Sequence, residues 1–401
     1  MPCPSAPVDP LTGLEAARFG LYVHFPFCLS KCPYCDFASA AVDSVPGERY
    51  ASALLRELPL RAGSFGGREL HSIFLGGGTP SLWEPREVGR VLEAVGACFA
   101  LADRAEVTLE ANPGAADAGR FKGYRALGVN RLSIGVQSFE PATLSALGRT
   151  HDGDAAEAAF RSARAAGFAN VSLDFIYGVQ GQTQAQVERD ARRAASLGPE
   201  HLYAYALTLD RELLAEEVPL ARSVARGEVQ LPSEEDSLAM ARAVRETYGA
   251  AGYARYEVSN FARPGFHSRH NALYWTGGET LALGAGATGL FRTGPGTAER
   301  YSNPRSAERY FADVEQGQVP SGTRESLGPQ ELFAERVAMG LRLAGGVDLA
   351  AACAEYGQSA AARQEEVDRL VEHGLARVSA GRLSLTEAGT DLHSAIAARL
   401  I

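Results

Sequence analysis

The chain has 401 residues, 46% of them hydrophobic and 22% charged, a globular composition that excludes collagen, coiled-coil and disordered architectures. Its net charge of −9 has the wrong sign for gripping a phosphate backbone, so the expected partners are small molecules or proteins and not nucleic acid. No apolar run reaches the ~18 residues of a membrane span, and Met1–Gly20 lacks a basic-then-apolar leader, which points to a cytoplasmic chain without an integral membrane segment.

From the N-terminus, short β-rich runs alternate with longer Ala/Arg/Glu-rich stretches of helical spacing. Strands are expected at Leu21–Phe25, Ser72–Leu75, Glu106–Leu109, Arg131–Val136, Val171–Ile176 and His201–Leu207. Helices are expected at Pro46–Arg61, Glu84–Phe99, Asp117–Ala126, Pro141–Leu147, Asp154–Ala166 and Thr183–Ser196. Asp154 and Thr183 read as helix starts, Gly167 and Gly198 as stops. Six strand–helix units predict an α/β fold, an open, partial (β/α)6 barrel of the TIM type.

A second region begins near Leu213. Leu231–Glu235 reads as a loop into an N-cap with a helix to about Ala250, followed by a Gly- and aromatic-rich segment, Tyr253 to Gly296. The last part, from Gln330, has three helical stretches and a hairpin, Leu375–Val378 with Arg382–Leu385, turning at Ala380-Gly381. The reading divides the chain into a tail (1–18), the barrel (19–212), an α/β extension (213–328) and a C-terminal α+β, winged-helix-like domain (329–401) without the basic stripe of a DNA binder.

Six cysteines carry the first chemical signal. Cys28, Cys32 and Cys35 stand in Phe27-Cys28-Leu29-Ser30-Lys31-Cys32-Pro33-Tyr34-Cys35-Asp36-Phe37, a C-x3-C-x2-C loop directly after the first strand. Three thiolates on one loop can hold three corners of a [4Fe–4S] cluster. Structural zinc wants four closed ligands, for which His24 could supply the fourth; a redox pair of Cys32 and Cys35 leaves Cys28 without a role. Cys98 and Cys353 read as small core residues, and Cys3 falls in the tail.

Ligands of parallel barrels sit at the carboxyl ends of the strands. There stand Gly76-Gly77-Gly78-Thr79-Pro80, whose glycines let a backbone approach a ligand and expose its N–H groups, then Glu110-Ala111-Asn112-Pro113, Gly135-Val136-Gln137-Ser138, and Asp174 before Tyr177-Gly178. Each alone reads equally well as a turn, a helix cap or a satisfied surface group; their recurrence on consecutive strands favours one shared ligand site.

With the cysteine loop in front, this set resembles the radical S-adenosylmethionine (SAM) superfamily, in the branch of oxygen-independent coproporphyrinogen oxidase. The resemblance extends over nearly the whole chain, including Leu341–Asp348. It implies a cluster on Cys28, Cys32 and Cys35 whose open iron chelates SAM and cleaves it to a 5′-deoxyadenosyl radical. It further implies SAM contacts from Tyr22, Gly77, Gly78, Thr79, Glu110, Gln137, Arg149 and Asp174, with the backbone of Tyr34 beside the adenine.

The oxidase pattern continues C-x3-C-x2-C-x-C and carries a long N-terminal segment; here Phe37 stands at the fourth position and twenty-seven residues precede Cys28. The chain has instead His270-Asn271-Ala272-Leu273-Tyr274-Trp275, which is similar to the heme chaperones of the same branch. That similarity implies heme at His270, Tyr274 and Trp275, transfer to acceptor hemoproteins such as respiratory enzymes, and no coproporphyrinogen oxidase activity, while cleavage of SAM stays open. On chemistry alone His270 reads as an interior histidine; a His is also a natural axial ligand. Ser268 and Thr288 replace a Cys and a His found in some members, and His267 could substitute as a second ligand. A homodimer would fit the family. The alternatives are a porphyrinogen oxidase or related tetrapyrrole-modifying enzyme, and a zinc-stabilised interaction module.

Overall fold

The computed structural model describes residues 18–113, 117–209 and 218–401; Cys3, nearly all of the tail and the expected boundary at Leu213 lie outside the described residues. The six expected strands form as β1 (Phe19–Phe25), β2 (Leu70–Gly77), β3 (Leu101–Ala111), β4 (Arg131–Gln137), β5 (Val171–Tyr177) and β6 (His201–Ala206), paired in parallel in chain order. β1 and β4 are buried almost end to end, as strands covered on both faces by helices must be.

The sheet is larger than six strands. Glu279–Leu283 adds a seventh parallel strand beside β1, and Thr288–Gly294, Thr297–Ser302 and Arg324–Leu327 continue from it antiparallel. At the other edge Asn260–Ala262 and Ala254–Arg255 extend β6. Among the described residues the result is one twelve-stranded sheet, to which the Gly- and aromatic-rich segment contributes strands on either side of a short helix, Arg269–Trp275. Its strands are short and Gly-interrupted, and they pair because β1 and β6 offer open edges.

Helices cover the parallel strands where the periodicity placed them. Thr183 and Gln186 form a reciprocal capping box, and Gly198 closes that helix in the left-handed region at φ 71°. One start moves: the helix expected from Asp154 begins at Gly153, and Asp152 is its cap, accepting from the Ala155 N–H. Cys98 also differs from expectation. It is exposed, because Phe99 takes the core position aligned with Val88, Val91 and Val95, whereas Cys353 is buried as expected.

The C-terminal part has its own core around Phe333, Val337, Leu341, Cys353 and Leu370. It contains five helices rather than three, plus the expected hairpin Ala376–Ser379 with Arg382–Leu385, turning on positive φ at Ala380 and Gly381. Among the described residues no helix is long and apolar enough to cross a membrane.

Candidate functional site

Two neighbouring places collect the expected residues, the first at the carboxyl ends of the parallel strands. The first surrounds the cysteine loop. Thr79 Oγ1 donates to Cys28 Sγ at 3.6 Å, and Arg149 Nη1 donates to Cys32 Sγ at 3.5 Å. Asn112 joins these two: its Nδ2 donates to Thr79 Oγ1 at 2.9 Å, and its Oδ1 accepts from Arg149 Nη2 at 2.5 Å. Cys28, Thr79, Asn112, Arg149 and Cys32 thus form one continuous polar arc on the four connections that follow β1, β2, β3 and β4. The Arg149 loop packs against the cysteine loop so closely that a Cβ at Gly148 would meet the Pro33 ring at 2.6 Å. Burial pushes the Cys28 and Cys35 thiols up; donors such as Thr79 and a cationic Arg149 offset that cost once the sulfurs become thiolates.

Among the described residues no three His, Cys, Asp or Glu side chains converge where a single metal ion could sit. A cubane cluster takes one thiolate at each of three separate irons and needs no such convergence. The half-exposed loop, its three thiols and its sulfur-directed donors fit that group.

The neighbouring strand ends also bear on SAM. Gln137 closes β4 with φ 66°, a left-handed conformation that costs a non-glycine residue about 1 kcal/mol or more, and its buried Oε1 has no hydrogen-bond partner among the described residues. An orphaned amide in a strained turn is a group waiting for a ligand. Glu110 is half-buried, and desolvation lifts its carboxyl to about 7; Asp174 is lifted to about 6 for the same reason while Ser133 and Ser172 donate to it. Tyr34 packs against Leu147, Ile176 and Val179 beside the cysteines.

The Gly77–Thr79 loop works differently from its sequence reading. Its N–H groups are already committed: Gly77 to Glu110 Oε2 at 2.9 Å, Gly78 to the Phe25 carbonyl, Thr79 to the Phe27 carbonyl. The glycines are needed for close packing, since a Cβ at Gly77, at φ 113°, would meet the His24 ring at 2.6 Å. What the loop can turn to a ligand is carbonyl oxygen and surface.

The second place is a cavity of about 530 Å³ between β1, the loop after Cys35, the strands that extend the sheet and the C-terminal helix Pro329–Gly340. Tyr22, Phe37, Tyr274, Trp275, Leu290, Leu332 and Met339 line it, with Phe37, Tyr274 and Met339 exposed. Four guanidinium groups (Arg292, Arg300, Arg305 and Arg336) share its wall with two carboxylates, Asp36 and Glu335. Arg300 holds Glu335 at 2.6 Å, Arg292 donates to Tyr356 Oη at 2.9 Å, and Arg305 donates to the Asp36 carbonyl at 2.6 Å. In a chain of net charge −9 this is a local cationic excess over an aromatic floor, suited to a flat apolar molecule that carries carboxylates.

Tyr274 and Trp275 stand in that wall, but His270 does not. It lies 1% exposed in the same short helix, Arg269–Trp275. Its N–H donates to Glu106, its Nδ1 pairs with Ser72 Oγ at 2.9 Å, and its Nε2 pairs with Tyr274 Oη at 3.0 Å. Burial lowers its pKa to about 3, so the imidazole is neutral. His267 packs edge-on to Tyr256, and Thr288 lines the cavity. A hydrogen-bond chain ties the two places together, from Asp174 through Ser172, His201 and Tyr256 to the N–H of Ser268, whose hydroxyl caps the helix by accepting from the Asn271 N–H.

Asn112 follows β3 within Glu110-Ala111-Asn112-Pro113, which is the sequence signal for its role; the cavity arginines are spread over Arg292 to Arg336 and carry no motif.

Residues 22–194 match the radical SAM superfamily, and residues 327–392 match the HemN C-terminal domain. The chain is 35% identical to the heme chaperone HemW of Mycobacterium tuberculosis, across 99% of this chain and 98% of that one. It is 39% identical to the heme chaperone HemW of Escherichia coli, across 67% and 69%. The mouse protein named radical S-adenosyl methionine domain-containing protein 1, mitochondrial, is 37% identical across 83% and 75%. The solved structure of E. coli coproporphyrinogen III oxidase (HemN) superposes with a TM-score of 0.79 at 24% identity, across 97% of this chain and 92% of that one, a likeness of fold.

Proposed function

The chain belongs to the HemW heme chaperone family within the radical SAM superfamily, and from that premise we propose that it binds heme in the aromatic, arginine-rimmed cavity and passes it to acceptor hemoproteins. The observation that carries this reading is the cavity itself, whose apolar floor matches a porphyrin face and whose guanidinium groups match two propionates. Tyr274 and Trp275 supply the wall against the ring, with His270 directly behind Tyr274.

Cys28, Cys32 and Cys35 hold the [4Fe–4S] cluster in this proposal. Tyr22, Tyr34, Gly77, Gly78, Thr79, Glu110, Gln137, Arg149 and Asp174 surround SAM, and Asn112 joins them. When bound, the cluster supplies an iron with an open position for SAM. The residues do the rest: Thr79 and Arg149 offset the charge of two thiolates, Gln137 offers its orphaned oxygen to a donor, and Glu110 and Asp174 hold half-buried carboxylates where desolvation makes each hydrogen bond count for more. The proposed setting is the cytoplasm, with respiratory enzymes among the acceptors and a homodimer as the assembly.

Anaerobic reconstitution followed by two assays on one preparation tests the reading. Heme uptake and transfer, followed by absorbance, are expected for the full chain; decarboxylation of coproporphyrinogen is not. Decarboxylation without heme uptake would replace the chaperone with an oxidase.

A further inference from the structure

An imidazole reaches iron through a free nitrogen lone pair. His270 has neither a free nitrogen nor a path: Ser72 and Tyr274 occupy both ring nitrogens. Phe74 stacks on its face with centroids 5.1 Å apart. Gly20 closes the other side so tightly that an added Cβ would meet Leu273 and Ser72 at 2.7 Å. Tyr274, one helical turn on, is what lines the cavity, with 37% of its surface exposed.

Resting on the reading that this cavity holds heme, we propose that the axial ligand to the heme iron is the phenolic oxygen of Tyr274, and that His270 is a positioning residue acting through it. Tyrosine is an established axial ligand of heme iron, and an anionic oxygen is a hard donor suited to ferric rather than ferrous iron. Burial raises the pKa of the free Tyr274 phenol, so its proton leaves only as the ferric iron, a Lewis acid, takes the oxygen: the O–H bond breaks and the proton passes to solvent. The Fe–O bond forms, the iron stays ferric and no electron moves. The neutral His270 donates Nε2–H to the phenolate along the 3.0 Å contact, and the Ser72 hydroxyl donates to Nδ1, which fixes that tautomer. The arrangement gives the His-Asn-x-x-Tyr-Trp spacing a reason: positions i and i+4 of one helix place the donor behind the ligand.

The test uses the full, cluster-reconstituted chain loaded with ferric heme, read by resonance Raman and electron paramagnetic resonance. The wild-type chain is expected to show high-spin ferric heme with phenolate vibrations. Tyr274→Phe, which keeps the ring, is expected to lose those vibrations while the chain stays folded, at a somewhat lower melting temperature because His270 Nε2 loses its partner, and keeps its cluster iron content. His270→Ala is expected to keep them with heme affinity weaker by about 10–100-fold, and His270→Gln, which restores an N–H donor, to recover part of that loss. A wild-type spectrum unaltered in Tyr274→Phe, or an imidazole-type low-spin spectrum lost only in His270→Ala, overturns the ligand assignment and leaves the chaperone reading standing. A wild-type chain that takes up no heme overturns both.

Discussion

The cysteine mouth and the aromatic cavity are neighbours with opposite origins. The mouth is local: three cysteines within eight residues, braced by Thr79, Asn112 and Arg149 from adjacent strand ends. The cavity is assembled from Tyr22 to Tyr356, and its cationic groups come from two strands, a loop and a helix outside the six-strand core. Chemistry that demands fixed ligand spacing is written in consecutive residues; chemistry that demands shape and charge is distributed over the fold.

Breaking the mouth should have the largest effect. Cys32→Ser is expected to reduce anaerobically measured iron and sulfide from about four per chain to near none; unchanged iron would remove Cys32 from the cluster. Next comes Glu110, whose folded pKa of about 7 lies above its unfolded value, so the folded chain binds the proton more tightly. Its contribution to stability is therefore complete at low pH and is lost as pH rises towards 7, by a few kcal/mol. Glu110→Gln, which still accepts from the Gly77 N–H, should flatten that decline in thermal unfolding of the cofactor-free chain between pH 5 and about pH 8; an unaltered slope would contradict the burial argument.

Breaking the cavity should be milder and selective. Arg292→Gln is expected to weaken heme binding by about tenfold, the worth of one charge-assisted hydrogen bond, and to leave binding of heme dimethyl ester unchanged. Equal losses for both ligands would mean the guanidinium does not meet a carboxylate. The smallest effect is expected of Asn112→Ala, which cuts the link between Thr79 and Arg149: cluster iron retained, SAM affinity lower by several-fold. Loss of the cluster in this variant would make Asn112 part of the cysteine scaffold instead.

How far the sequence reveals each region follows the same division. The barrel strands, the helix start at Thr183 and the hairpin turn at Ala380-Gly381 are legible because each is decided by near neighbours. The sheet extension at Glu279–Leu283 is not, since glycines at 277, 278, 284 and 286 flank a strand whose partners, β1 and Thr288–Gly294, include one far away in the chain. The cap at Asp152 rather than Asp154 and the exposure of Cys98 turn on a shift of one or two residues at a helix end, where local pattern is weakest. His270 shows the limit most clearly: the motif places it with Tyr274, but only the fold shows that Tyr274 faces the cavity and His270 does not.

Filling the cavity tests the central claim most directly. Thr288 lines it from an exposed strand position, so Thr288→Trp puts an indole where the porphyrin would lie without disturbing the core. Heme titration of the reconstituted wild-type chain and this variant should show saturable uptake in the first and its loss in the second, at equal cluster iron. Undiminished uptake by the filled variant would contradict the account, because heme would then bind elsewhere.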